Sequence, residues 1–186
     1  MPFTLAHAAA ILPLRRSCRS LGWGPGLVFG SMAPDLAHQL PGVGGRLETH
    51  SLQGLLQIDT PAAFLMAILW TWLCAPRIHR LPGCGHIQGR ETPNPTFSVI
   101  NTIVAGSIGG STHLAWDAFT HAESPLVAGT ALSATVYRGE HGVLPLVSLL
   151  WFASTFVGIG LLGLWARRAC HETGSRLRDI LVSRPW

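Results

Sequence analysis

The residues best suited to chemistry lie in the stretch Gly109–His121, GGSTHLAWDAFTH, where His113, Asp117 and His121 follow one another at intervals of four. In an α-helix this spacing puts the three side chains on one face, with a drift of about 40° per step. Two imidazoles and a carboxylate on one face are suited to a divalent metal ion. Residues 96–112 carry no charge, so ionisable groups after this run are costly unless something binds them.

Further acids and imidazoles stand at the ends of other apolar segments. His7 lies in MPFTLAH, Asp35 ends GSMAPD, His50 lies in ETHSLQG, and Asp59 follows shortly after it. Taken singly, these residues have simpler interpretations as interfacial histidine, helix cap or solvated loop residue. A polar network joining helices should be rich in Ser, Thr, Asn and Gln, whereas Asp and His predominate here, as in metal sites. We therefore predict these metal ligands: His7, Asp35, His50, His113, Asp117 and His121.

The composition indicates a single-domain integral membrane protein. Of the 186 residues 48% are hydrophobic and only 12% are charged, and the mean hydropathy is +0.35, whereas a soluble domain has about 25% charged residues. The net charge of +4 comes from arginine alone. These arginines are scattered between apolar runs and form no basic face, which argues against nucleic-acid binding.

Four apolar segments are long enough to consider as membrane spans: residues 20–40, 55–75, 96–116 and 142–166. Four crossings would put eleven arginines on one side of the membrane and two on the other, whereas three crossings would give eight and five. The positive-inside rule therefore favours four crossings with both termini in the cytoplasm. The first segment is short for a span, so a re-entrant segment is the alternative there.

The predicted fold class is accordingly all-α, an integral membrane bundle of about four spanning or partly re-entrant helices. Negligible sheet is expected, because spanning helices satisfy their own backbone, and residues 123–141 are predicted to form a loop. Gly106 and Gly110 form a small-xxx-small pair that permits close helix approach. The predicted organisation is a membrane-embedded domain with the metal site at residues 1–168 and a cytoplasmic tail at residues 169–186.

The blocks MPFTLAH, GSMAPD, THS and THLAWDAFTH resemble, in this order, a bacterial inner-membrane family known as domain of unknown function 4184, over roughly residues 1–166. That family is similar in pattern to the predicted membrane-bound metal-dependent hydrolases. The resemblance implies a multi-pass protein of the bacterial inner (cytoplasmic) membrane that carries metal chemistry.

The order His, Asp, His, then HxxxD is also similar to zinc-dependent phospholipase C and related helical nucleases, in which an aspartate on the HxxxD helix bridges two zinc ions. This similarity implies Asp117 as the bridge. The other ligands follow by position: Asp35, His50 and His113 for one zinc ion and His7 for a second. The chain lacks a third cluster ending in H-x-x-x-E, so His121 would have to replace it.

A bound ion, most simply one or two zinc ions, would lower the pKa of water and bind phosphate oxygens. We expect a membrane-bound metal-dependent hydrolase of a phosphoester, with lipid-linked esters among the candidate substrates and membrane lipids as partners. Asp35 and Asp117 are the predicted catalytic carboxylates, and Asp59 is a further candidate general base. The alternative is a non-catalytic membrane protein with a structural or carried metal ion. The four-span topology places His7 on the opposite side from the other ligands, because His7 precedes cytoplasmic Arg15.

Overall fold

The computed structural model describes residues 3–14, 24–40, 42, 45–78, 95–139 and 142–182 of the chain. This part is mostly helical, so the predicted helical character is confirmed. The helices in chain order are α1 (Thr4–His7), α2 (Gly24–Ala37), α3 (Arg46–Thr49), α4 (Leu52–Ile78), α5 (Pro95–Thr120) and α6 (Leu146–Val182).

Helix α4 changes its winding twice along its length. It begins as Leu52–Gly54, continues through the π-helical turn Leu55–Asp59 to the α-helical Thr60–Leu69, and passes a second π-helical turn before Ala75–Ile78. The Ser51 side chain caps its start by accepting a hydrogen bond from the Gly54 N–H at 2.9 Å. Single π-helical turns within α-helices are frequent at functional sites.

A two-stranded antiparallel hairpin corrects the prediction of negligible sheet. Strand β1 is Thr135–Gly139 and strand β2 is Gly142–Pro145, with Arg138 paired to Val143. The predicted loop at residues 123–141 and the predicted span at residues 142–166 were therefore wrong where they covered these strands. Hydropathy alone does not separate an apolar strand from the start of an apolar helix, and α6 begins only after Pro145.

Two helical stretches in the described part of the chain, Leu52–Arg77 and Leu146–Arg168, are long and apolar enough to cross a membrane by length and composition. They correspond to the second and fourth predicted spans. The third predicted span, residues 96–116, lies within the continuous helix α5. The first predicted span, residues 20–40, contains the fourteen-residue helix α2. The predicted division at residue 168 falls within α6, and residues 183–186 lie outside the described residues.

The centre of the fold is the crossing of α2 over α5, where glycines replace side chains. A Cβ atom at Gly109 would lie 2.8 Å from the Ser31 nitrogen and 3.0 Å from the Gly30 Cα atom. A Cβ atom at Gly30 would overlap the backbone of Gly106. The two backbones are therefore in direct contact, and buried Leu27 and Ala105 fill the space beside the crossing.

Candidate metal centre

Two carboxylates and two imidazoles converge where α2 and α5 cross. Asp35 comes from α2, His113 and Asp117 come from α5, and His50 comes from the turn between α3 and α4. One ligand atom from each of these four residues lies within 4.8 Å of every other. His113 and Asp117 are one helical turn apart, as their spacing predicts.

The separations between these donor atoms fit a small metal ion. The His113 Nε2 atom is 3.5 Å from Asp35 Oδ1 and 3.5 Å from Asp117 Oδ2, and the His50 Nε2 atom is 3.5 Å and 3.3 Å from the same two oxygens. A tetrahedral zinc ion with ligands at about 2.0–2.1 Å has donor-to-donor separations of roughly 3.3–3.4 Å. The cluster could therefore hold a metal ion.

The imidazole of His113 is oriented by a backbone group. Its Nδ1 atom lies 2.8 Å from the Ser31 carbonyl oxygen, which can only accept a hydrogen bond, so Nδ1 carries a proton and Nε2 is the nitrogen turned towards the carboxylates, where it could bind a metal ion. The Nε2 atom is buried and has no hydrogen-bond partner among the described residues. Metal-binding histidines are oriented in this way by a hydrogen bond at their other nitrogen.

The Thr49 hydroxyl contacts the Nδ1 atom of His50 and helps to position this ring, as donor or as acceptor. Its Oγ1 atom lies 3.0 Å from His50 Nδ1, and Thr49 is fully buried. Neither Ser31 nor Thr49 was predicted as part of the site. No spacing signal could have revealed Ser31, because it contributes only a carbonyl oxygen, whereas Thr49 stands directly beside a predicted ligand.

His7 approaches the same two carboxylates from another side. Its Nε2 atom is 3.9 Å from Asp35 Oδ2 and 3.7 Å from Asp117 Oδ1, the oxygens that His50 and His113 do not face. Its ring stacks on that of His113 with 3.8 Å between the ring centroids. Burial, together with the neighbouring His113, lowers the pKa of His7 to about 4. His7 is therefore neutral at physiological pH, which is the form that binds metals.

The position of His7 differs from what the four-span topology implied. Helix α1 packs on α6, where the Phe3 N–H donates a hydrogen bond to Thr155 Oγ1 at 3.3 Å and Ala6 lies against Gly158. This packing brings His7 beside Asp35 and Asp117, so the prediction that His7 lies apart from the other ligands was wrong.

His121 lies at the outer edge of the cluster. Its Nδ1 atom is 3.6 Å from Asp117 Oδ2, and also 3.1 Å from the Asp117 carbonyl oxygen one turn earlier. It is outside the group of four converging donors. The side chains of Asp35 and His113 are 0% exposed, those of His50 and His121 10% and 12%. The centre is therefore buried, its donor atoms His50 Nε2 and His113 Nε2 included, and the rings of His50 and His121 are its most exposed parts.

The electrostatics of Asp117 suit a metal ligand. Burial alone would raise the pKa of this carboxyl group, but the imidazoles of His113 and His50 outweigh burial and hold its pKa below the usual range. Asp117 is therefore a carboxylate at physiological pH. The third candidate acid, Asp59, is buried but does not belong to the converging group.

A family model described as Domain of unknown function (DUF4184) matches residues 1–183. The chain therefore belongs to this family, so the predicted membership of domain of unknown function 4184 is confirmed. No curated protein and no solved structure matches the chain.

Proposed function

We propose that this member of the DUF4184 family is a membrane-bound, metal-dependent hydrolase of phosphoesters. The observation that carries the proposal is the convergence of Asp35, His50, His113 and Asp117 in one buried cluster, at whose edge the side chains of His50 and His121 are 10% and 12% exposed. A catalytic metal site needs an open position for water or substrate, whereas a structural site is closed by its ligands.

Zinc is the ion that the donor set favours. Two imidazoles with carboxylate oxygens suit zinc better than magnesium or calcium, which prefer oxygen ligands alone. The distances to His7 support a second ion, because each carboxylate turns one oxygen to the His50 and His113 pair and its other oxygen to His7. Asp35, Asp117 and His7 would then hold this second ion.

A bound divalent ion would lower the pKa of a coordinated water towards neutrality and offer a binding position for phosphate oxygens. The protein supplies the orientation. The Ser31 carbonyl fixes the tautomer of His113, and the closed base of the site keeps bulk water away from Asp35. Asp35 and Asp117 hold the negative charge that attracts the ion and fix its place between the two helices.

Exposed apolar side chains close to the site residues in sequence support a substrate with an apolar part. Trp116 and Phe119 are neighbours of Asp117 on α5 and are 40% and 52% exposed, and Leu52, shortly after His50, is 78% exposed. Exposed apolar side chains also cover the two helical stretches that are long enough to cross a membrane. A phosphoester in a lipid would place its headgroup at the ion and its chains against these residues.

The test begins with elemental analysis of the purified protein. We expect stoichiometric zinc in the wild type and its loss in His50→Ala and Asp117→Ala, whereas His38→Ala, which removes a nearby imidazole outside the donor group, should keep it. Wild type without metal would refute the proposal.

A second step separates catalysis from a structural or carried ion. The zinc-loaded protein is incubated with bis(p-nitrophenyl) phosphate and with phospholipid vesicles, and released nitrophenol and cleaved lipid are measured. Turnover that is lost in His50→Ala and retained in His38→Ala is expected. Stoichiometric metal without turnover of either substrate would favour the non-catalytic alternative.

A further inference from the structure

Asp59 is a buried acid that the proposed centre does not use. It ends the π-helical turn Leu55–Asp59 and is 1% exposed. Neither of its carboxyl oxygens has a hydrogen-bond partner among the described residues. An ionised carboxylate is costly to bury without a partner, so this position requires an explanation.

The contacts of α4 place Asp59 beside the base of the centre. A Cβ atom at Gly110 on α5 would overlap the Leu55 side chain, and one at Gly106 would lie 3.8 Å from the Thr60 carbonyl oxygen. Asp59 is in the same turn as these two residues, so it lies beside residues 106–110 of α5, about one turn before His113. Its carboxyl group interacts electrostatically with His50 and His113.

We propose that Asp59 is a proton store whose charge state is coupled to occupancy of the metal centre; this inference rests on the proposed metal binding. With no ion present, burial without a hydrogen-bond partner disfavours the charged form, so Asp59 keeps its proton. A divalent cation bound nearby would favour the carboxylate form. The O–H bond of Asp59 then breaks, its electron pair stays on the carboxylate, and the proton leaves to solvent.

This coupling gives the loaded centre an internal base that the empty centre lacks. The carboxylate oxygens of Asp35 and Asp117 would coordinate the ion, so these two residues would be poor proton acceptors in the loaded centre. Asp59 stays outside the converging group, so its carboxylate is available to take up a proton near the ion. The sequence left three acids as candidate bases, and the structure separates Asp59 from the two that converge on the site.

The experiment counts protons released when zinc is added to ion-free protein in a weakly buffered solution with a pH indicator. We expect wild type to release about one proton more per loaded centre than Asp59→Asn, with the same zinc content in both proteins. Gln57→Ala, an exposed change in the same π-helical turn, serves as the matched control and should release protons as wild type does.

Infrared difference spectra of the wild type provide a measurement that needs no variant. Zinc loading should remove one protonated-carboxyl C=O band, and this band should be missing in Asp59→Asn. An unchanged band in a protein that binds zinc would overturn the role of Asp59 and leave the metal site intact. Loss of zinc from a folded Asp59→Asn would make Asp59 a ligand instead, and wild type that binds no zinc would overturn both proposals.

Discussion

Replacing Gly30 by alanine should open the metal centre by pushing two helices apart. A Cβ atom at Gly30 would overlap the Gly106 carbonyl oxygen and lie 2.9 Å from both the carbonyl carbon and the Cα atom of Gly106. Ordinary carbon contacts need about 3.5–4.0 Å. The obstacle is backbone on both sides, so no side-chain rotation relieves it, and α2 must move away from α5 by about 1 Å.

Gly30→Ala should lower both the folding stability and the zinc affinity. Overpacking of this kind costs about 1–3 kcal/mol of folding free energy. The same movement stretches the 3.5 Å separation between His113 Nε2 and Asp35 Oδ1, because these atoms belong to the two helices that separate. Zinc affinity should then fall by about 10- to 100-fold, as it does when groups that orient ligands are lost.

The assay compares thermal unfolding and zinc affinity of Gly30→Ala in detergent with those of Gly24→Ala. Gly24 begins the same helix, and a Cβ atom there would meet nothing within 4 Å, so this control should stay within about 1 kcal/mol of wild type. A Gly30→Ala protein with unchanged unfolding temperature and unchanged zinc affinity would refute the account of the crossing.

Three further predictions concern the elements around the site. Gly158→Ala should weaken zinc binding, because the added Cβ atom would lie 2.8 Å from the Ala6 carbonyl oxygen and displace the neighbouring His7. Gly160→Ala, where the added Cβ atom meets open space, should leave zinc binding unchanged, and isothermal titration measures the zinc affinity of both variants. Ser51→Ala should cost about 1 kcal/mol through loss of the cap on α4, measured by chemical unfolding; an unchanged midpoint would contradict this. In ion-free protein, the free energy of unfolding should fall as the pH is lowered from about 6.5 towards 4, because the His7 imidazole takes up a proton in this range only when the chain is unfolded. The His7→Gln protein should show a smaller fall over the same pH range.

The predicted site follows from side-chain types and helical spacing to a large extent. His113 and Asp117 stand one turn apart, and the positions of Asp35 and His50 at the ends of apolar segments are where the structure brings their donor atoms together. Spacing also placed His121 on the same face, but its Nδ1 lies near the carbonyl oxygen of Asp117 as well as its carboxylate. Helical spacing predicts that side chains project in the same direction, but the packing of the neighbouring helices determines which of them come into contact.

The features that the sequence did not predict depend on backbone geometry. The π-helical turns of α4 and the approach of the Ser31 carbonyl to His113 leave no trace in hydropathy or spacing. The hairpin was missed because its second strand, Gly142–Pro145, is continuous in hydropathy with the helix that follows. The close approach expected at Gly106 and Gly110 does occur, with Gly106 against Gly30 and Gly110 against the side chain of Leu55.

The hydrogen bond from His113 to the Ser31 carbonyl has a consequence for how this family would respond to mutational scanning. The group that orients the ligand belongs to the main chain, so exchanging the Ser31 side chain for another small one leaves the acceptor in place. Ser31 is fully buried, and large residues there would force the helices apart. In a mutational scan, substitutions at position 31 should therefore be tolerated according to the size of the new side chain and not its polarity, although the backbone of this residue accepts a hydrogen bond from His113.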